Sequence, residues 1–238
     1  MTILAFAGPS LTGADRLSFP HIDWRPPAEA GDLLRLPRGA GTICLIDGYF
    51  DHRPAVRHKE ILLLLSEGIR IFGASSIGAL RAAEMQAFGM AGVGAIFAAY
   101  ARGTIAGDDE VALIHAGSDR DWRPLSVPMV DVRASLCSAR RQGVVTRGEA
   151  RALLEAAAAI HYVDRDWASV CAAVERGAER HAFERWLETG AVSQKRDDAL
   201  ACLRAAIEDA EPPPARPALV RTCFLDALER ECGGPKPG

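Results

Sequence analysis

Aromatic residues are scarce in this chain of 238 residues, at 6%, and alanine runs such as Ala156–Ala159 stand where bulky packing would otherwise be found. A dominant charge is missing as well. The 28 Lys and Arg are balanced by 31 Asp and Glu, which argues against a protein that lives on nucleic-acid phosphates. Low hydrophobicity is also absent: apolar residues reach 49%, too many for a disordered chain of so little net charge. No run of 18 uncharged apolar residues occurs, and the stretch Thr2–Ala7 is too short and lacks the basic start of a signal peptide. The expectation is therefore a soluble, cytoplasmic protein with no membrane partner. The six cysteines (44, 137, 171, 202, 223 and 232) include no CxxC pair and read as reduced thiols. Neither GxGxxG nor GxxxxGK[ST] is present, so a nucleotide-binding α/β protein is the weakest of the functional classes considered.

Glycine is unevenly spread. Residues 1–119 hold 15 of the 22 glycines. Since glycine marks backbone that turns sharply or approaches something closely, chemistry is expected in the first half and helical scaffolding in the second. Three short apolar runs precede turn signals: Ile3–Ala7 before Gly8-Pro9-Ser10, Thr42–Ile46 before Asp47-Gly48, and Ile69–Phe72 before Gly73-Ala74-Ser75. Such runs suit strands buried in a parallel sheet. Between the second and third, residues 54–68 carry proline at the start and glycine at the end, the punctuation of a helix, so a βαβ unit is predicted. Helices are further predicted over 77–88, 96–102 and from Asp108 through His115, with a glycine-rich turn at 89–94 and an irregular crossing segment at 117–130. Thr146-Arg147-Gly148-Glu149 is a capping box, and helical spacing recurs near 166–175, 178–189, 193–210 and 217–231. The fold class expected is α/β, a small parallel Rossmann-like sheet in the N-terminal half with a mostly helical C-terminal half. The division expected is an α/β domain at 1–130 holding the site, a helical region at 131–232 packed on it, and a flexible tail at 233–238. Pro212–Pro214 is expected to act as a stiff spacer.

Ligands of open parallel sheets bind beyond the carboxyl ends of the strands, here Gly8-Pro9-Ser10, Asp47–Phe50 and Gly73–Gly78. The third resembles a nucleophile elbow, where a tight turn lifts a serine hydroxyl clear and the next helix offers N–H donors to an oxyanion. Its last glycine falls three residues after Ser75, unlike the hydrolase GxSxG. The competing readings are a plain helix cap by Ser75 or Ser76 and an anion-binding turn. His58-Lys59-Glu60 offers a base, against a solvated helix face. Asp108-Asp109-Glu110 with His115 is read as dipole and capping chemistry ahead of a metal cluster, so no metal and no cofactor is expected. Arg81 and Glu84, three apart, form a local ion pair, or Arg81 holds an anionic substrate. Arg140-Arg141 and Lys195-Arg196 read as solvated helix faces, with a docking role open.

The blocks Asp47–Phe50, Pro54–Val56, His58–Leu62, Gly73–Glu84, Gly89-Met90, Gly92–Gly94 and Asp108–Ala112 with His115 together resemble the TfuA-like family across about residues 44–135. Ile77 stands where that family often has Met, and Arg57 where it often has an aromatic. The resemblance implies a partner of YcaO enzymes in ribosomally made, modified peptides. YcaO activates a backbone amide oxygen by ATP-dependent phosphorylation, and the TfuA-like partner supports its replacement by sulfur, giving a thioamide. It further implies hydrolysis of the C-terminal thiocarboxylate of a ubiquitin-like sulfur carrier, releasing sulfide for YcaO; the precursor peptide is a third candidate partner. Under this reading Ser75 attacks or orients water, Lys59 or His58 serves as base or holds the carrier terminus, and Asp47 orients that base. Gly8, Ser10, Gly48, Gly73, Ser76, Gly78, Arg81, Glu84, Asp108, Asp109, Glu110 and His115 are the candidate substrate-binding residues, with Gly48, Gly73 and Gly78 lining a narrow slot for the carrier tail. The competing class is a non-catalytic adaptor that docks the carrier or peptide onto YcaO.

Overall fold

The computed structural model describes residues 2–37, 41–49, 53–173, 178–209 and 216–232, with the backbone alone at 178–180. Phe50, the Pro212–Pro214 spacer and the 233–238 tail lie outside the described residues.

Five parallel strands form one sheet: β1 (Ile3–Phe6), β2 (Ile22–Arg25), β3 (Thr42–Leu45), β4 (Arg70–Gly73) and the two-residue β5 (Ala91–Gly92), in the order β2-β1-β3-β4-β5. The three predicted apolar runs are β1, β3 and β4, the middle of the sheet. Period-two alternation sorts their side chains between two cores. Phe6, Ile43, Leu45 and Ile71 face one side, packed by α2 (His58–Ser66) through Ile61, Leu64 and Leu65 and by α3 (Ile77–Met85) through Ala82 and Met85. Ala5, Ala7, Cys44, Ile46 and Phe72 face the other side, where Ala199, Cys202, Leu203 and Ala206 of α9 cover them. Helix α9 (Gln194–Glu208) comes from the far end of the chain, so the second face of the N-terminal sheet is closed by a helix from the C-terminal half. The predicted class, α/β with a parallel sheet followed by helices, is what the structure contains.

The remaining helices are α1 (Gly13–Leu17), α4 (Gly94–Ala101), α5 (Met129–Arg141), α6 (Arg147–Ala159), α7 (Trp167–Ala172), α8 (Ala178–Gly190) and α10 (Cys223–Glu231). Helices α5 to α8 build a separate apolar cluster around Val132, Leu136, Leu153, Val170 and Phe183. The capping box is present: Thr146 Oγ1 accepts from the Glu149 N–H, and the Glu149 carboxylate accepts from the Thr146 N–H. The predicted helix from Asp108 to His115 is not. Only a single 3₁₀ turn forms at Asp108–Glu110, because the chain beyond it pairs with residues 123–126 instead. The Leu125 N–H donates to Ile114 O at 2.9 Å, the Ala116 N–H to Arg123 O at 2.9 Å, and the Ile114 N–H to Ser126 Oγ at 2.9 Å. A strand-like pairing of this kind removes the backbone donors a helix needs.

Two glycines expected to line a slot serve packing. A Cβ on Gly78 would lie 1.8 Å from the Leu45 carbonyl oxygen, and one on Gly73 would lie 2.2 Å from the Gly78 carbonyl. They let α3 sit directly on β3 and β4, which brings the N-terminus of α3 down to the strand ends. Among the described residues no helix is long and apolar enough to cross a membrane.

Candidate active site

In the strand order β2-β1-β3-β4-β5 the chain leaves β1 toward one edge and β3 toward the other, so a crevice opens between their carboxyl ends. Asp47 stands there, 1% exposed. Its Oδ2 accepts from the N–H groups of Gly8 at 2.8 Å and Ser10 at 3.0 Å, and its Oδ1 from Ser10 Oγ at 2.7 Å. A carboxylate can only accept, so the Ser10 hydroxyl proton points at Asp47. The next link, Ser10 Oγ to Ser75 Oγ at 2.7 Å, therefore has Ser75 as its donor. The order Ser75 to Ser10 to Asp47 follows from proton count alone.

Ser75 has φ of +67°, the left-handed region that a side chain other than glycine enters at a cost. The Ser76 N–H closes back on the Ala74 carbonyl at 2.8 Å, making a γ-turn between β4 and α3. The tight strand-to-helix turn of the elbow resemblance is present, but the Ser75 hydroxyl is not lifted clear: it is buried and turned to Ser10. Neither serine acts as a helix cap, for Ser76, the N-cap residue of α3, makes no capping hydrogen bond. Its Oγ instead accepts from Lys195 Nζ at 3.1 Å. The Gly78 N–H is engaged by Ile46 O at 3.3 Å, so one donor expected for an oxyanion is already occupied.

Lys195 is the residue that the motif reading missed. It is 2% exposed; Nζ donates to Ser76 Oγ and to Val111 O at 3.0 Å, and lies 3.8 Å from Asp47 Oδ1. Burial lowers the ammonium's pKa below its ordinary value, against the pull of Asp47 and Asp131. A solvated face was expected because Lys195 and Arg196 sit among acidic residues. Yet Lys195 and Asp198 stand at helical spacing with Ala199, Cys202 and Ala206 on the stripe of α9 that turns inward, and that spacing was the available signal.

Three contacts fix the first turn of α9 and so aim Lys195. Asp131 of α5 accepts from the Lys195 backbone N–H at 3.1 Å and from Ser193 Oγ at 3.2 Å. Burial pushes its carboxyl up to about 6. Arg196 clamps Asp15 of α1 through two nitrogens, at 2.9 and 2.5 Å, which holds the Asp15 carboxyl well below the usual carboxylate range. Asp198 accepts from the N–H groups of Ala95 and Ile96 at the start of α4, at 3.0 and 2.8 Å. Arg16 donates to the Gly8 carbonyl at 3.0 Å and lies over the rings of Trp24 and Trp122, steadying the β1 loop.

Above these groups is a cavity of about 330 Å³ whose lining includes Asp47, Gly48, Ser76 and Lys195, with Tyr49, Arg53, His115 and Tyr162 nearer the mouth. Four of the predicted site residues (Asp47, Gly48, Ser76 and His115) thus share one pocket, and Gly8, Ser10 and Ser75 form the hydrogen-bonded layer behind it. Ser75 is 0% exposed and does not line the cavity, whereas Ser76 does. His115 Nδ1 lies 2.8 Å from the Ala116 carbonyl, and its ring packs 5.9 Å from that of Tyr49.

Other predicted residues gather elsewhere. His58 Nε2 lies 2.8 Å from Glu84 Oε2, which also takes Arg81 Nη1 at 2.6 Å, while Arg81 Nε donates to Val56 O. This is the predicted Arg81–Glu84 pair with His58 added, on the surface of α2 and α3. Neither it nor Lys59, in the first turn of α2, lines the cavity. In the turn at Asp108–Glu110, Glu110 is held by Arg133 through two bonds, at 2.9 and 2.6 Å. That turn precedes Val111, whose carbonyl receives Lys195. Among the described residues no group of three or more His, Cys, Asp or Glu gathers as a metal-binding set.

Among curated proteins none matches the chain. A family model described as TfuA-like protein matches residues 47–166, from Asp47 itself through Ser75, Ser76, His115 and Tyr162, and past residue 135, where the resemblance in the sequence ends. Half of the chain is covered, including most of the cavity wall, and the protein belongs to the TfuA-like family.

Proposed function

We propose that this protein hydrolyses the C-terminal thiocarboxylate of a ubiquitin-like sulfur carrier and so supplies sulfide to a YcaO enzyme that thioamidates a peptide backbone. The family has a role associated with thioamidation and is generally associated with YcaO-type partners. The observation that carries the reading is the buried Lys195 Nζ at 3.1 Å from Ser76 Oγ, on the floor of the switch-point cavity beside Asp47.

Neutral Lys195, favoured by burial, takes the proton of Ser76 Oγ as that oxygen bonds to the thiocarboxylate carbon. The lysine then returns the proton to sulfur as the C–S bond breaks. Water cleaves the resulting ester with Lys195 again as base, and Ser76 recovers its proton. The sum is thiocarboxylate plus water giving carboxylate plus hydrogen sulfide, with no change of oxidation state. Asp47 fixes the β1 loop and holds its charge near Nζ. The Ser75–Ser10–Asp47 chain keeps the turn rigid, so that Ser76 stays aimed at the cavity. In this reading the acting hydroxyl is Ser76, beside the Ser75 that the elbow resemblance favours, and the base is on α9 in place of α2.

The adaptor reading separates cleanly in one assay. Purified protein mixed with thiocarboxylated carrier, without YcaO, is expected to release sulfide catalytically, detected by fluorogenic trapping and by the carrier's mass change from thiocarboxylate to carboxylate. Carrier binding with no turnover would establish a docking role instead.

A further inference from the structure

We infer that the groove between α5 and α6 is a docking surface for an acidic amphipathic helix of a partner protein. The two helices are joined by a short turn and share one buried apolar cluster with it, through Leu136 and Ala139 on α5, Val145 in the turn and Leu153 on α6. Each also contributes a row of side chains with the same spacing to the groove, of which Leu136 is the buried member at its base. On α5 this row is 133, 136, 137 and 140; on α6 it is 147, 150, 151 and 154. These positions, i, i+3, i+4 and i+7, fall on one side of a helix and run roughly 10 Å along the axis. Together they line a cavity of about 290 Å³.

The chemistry of that lining is one-sided. Leu136, Cys137, Ala150 and Leu154 make the floor, four arginines stand around it, and no carboxylate is among the lining residues. In a chain of formal net charge −3 this is a local excess of one sign. Two of the arginines hold partners at the rim: Arg133 meets Glu110, and Arg151 meets Glu155 at 2.7 Å, the latter an exposed i,i+4 pair of the weak, exchangeable kind. Among the described residues the side chains of Arg140 and Arg147 meet no carboxylate. Arg147 is also the first residue of α6, where the helix dipole disfavours a cation, so helix stability does not account for its charge.

An apolar floor between two helices accepts the ridge of a third helix, and arginine rims select one whose flanks carry Glu or Asp. A nucleic acid would meet the same charge, but Leu136 and Leu154 offer nothing to phosphates and no aromatic side chain lines the groove for base stacking. The inference stands apart from the hydrolytic reading of the switch-point cavity, since it shares no lining residue with it.

The probe is a fluorescein-labelled 16-residue peptide with Leu at i, i+3, i+4, i+7 and Glu at the flanking positions, titrated with the full chain by anisotropy in low salt. Binding is expected, at least tenfold weaker in 0.5 M NaCl and at least tenfold weaker for the double variant R140E/R147E. Both changes are at exposed positions, and an unchanged melting temperature shows that the fold is kept. C137W, which fills the floor without altering charge, is expected to weaken binding as well. No binding of the peptide, equal binding by R140E/R147E, or preference for a single-stranded oligonucleotide over the peptide would each overturn the inference.

Discussion

Replacing Lys195 with Met is expected to lower sulfide release by about 10³-fold while leaving the protein folded. Removing a positioned general base costs roughly 10²–10⁴-fold in rate. Methionine keeps most of the volume and brings no charge into a site that is 2% exposed. The loss of a hydrogen-bond donor at Ser76 Oγ and Val111 O, about 1 kcal/mol each, and of the cation beside Asp47 is set against no longer desolvating an ammonium. Asp47 keeps its three donors from Gly8 and Ser10. The wild-type rate should rise with pH through the Lys195 titration, since the neutral amine is the active form, and this limb should vanish in K195M. Stability follows the same group. Because burial lowers the folded-state pKa below 10.5, the unfolded chain holds the proton more tightly. Raising the pH from the folded value toward 10.5 therefore stabilises the wild type, and K195M lacks that increment. Sulfide-release kinetics with thermal melts across pH 6–10 check both, and a K195M variant within tenfold of wild type would remove Lys195 from the chemistry.

Asp47→Ala is expected to cost the most stability of any single polar change at the site, roughly 3–5 kcal/mol. The reason is what it leaves behind: the Gly8 and Ser10 N–H groups and the Ser10 hydroxyl lose their acceptor, and Lys195 loses its nearest carboxylate. In a chain of this length 1 kcal/mol moves the melting temperature by about 2–4 °C, so a fall on the order of 10 °C follows. Asp47→Asn keeps an acceptor oxygen for the Gly8 and Ser10 N–H groups but turns its NH₂ to Ser10 Oγ, which must then accept. It also carries no charge for Lys195, so it should lose about half as much. Urea midpoints give the free energies. A D47A melting temperature within about 3 °C of wild type would mean that the switch-point hydrogen bonds do not hold the loop.

How much of this was legible before the fold depends on what each residue's neighbours are. Strands β1, β3 and β4 were readable because a strand buried on both faces must be continuously apolar. Strand β2 was not, because it lies at the sheet's edge: Asp23 and Arg25 are tolerated there and pair with each other at 2.7 Å, which hides the strand pattern. Strand β5 has two residues, too few to carry a period. In the site, Asp47, Gly48 and Ser76 could be found because they directly follow strands, and strand ends converge by topology. Lys195 could not be found that way, for its place depends on a helix crossing the sheet from 119 residues beyond Ser76. Only its membership of an apolar stripe on α9 betrayed it. The two serines of the turn differ in a way the motif does not carry: it marks the strained residue, Ser75, whose Oγ is turned inward to Ser10, while the neighbour, Ser76, lines the cavity.

That distinction is where one measurement bears most directly on the mechanism: single-turnover sulfide release from thiocarboxylated carrier by S75A and S76A, side by side. S76A is expected to fall to the uncatalysed rate and to form no ester-linked adduct on denaturing mass spectrometry. S75A, which loses one hydrogen bond to Ser10, should retain turnover within about tenfold, since one such bond contributes about 1 kcal/mol. An active S76A beside an inactive S75A would contradict the Ser76–Lys195 assignment.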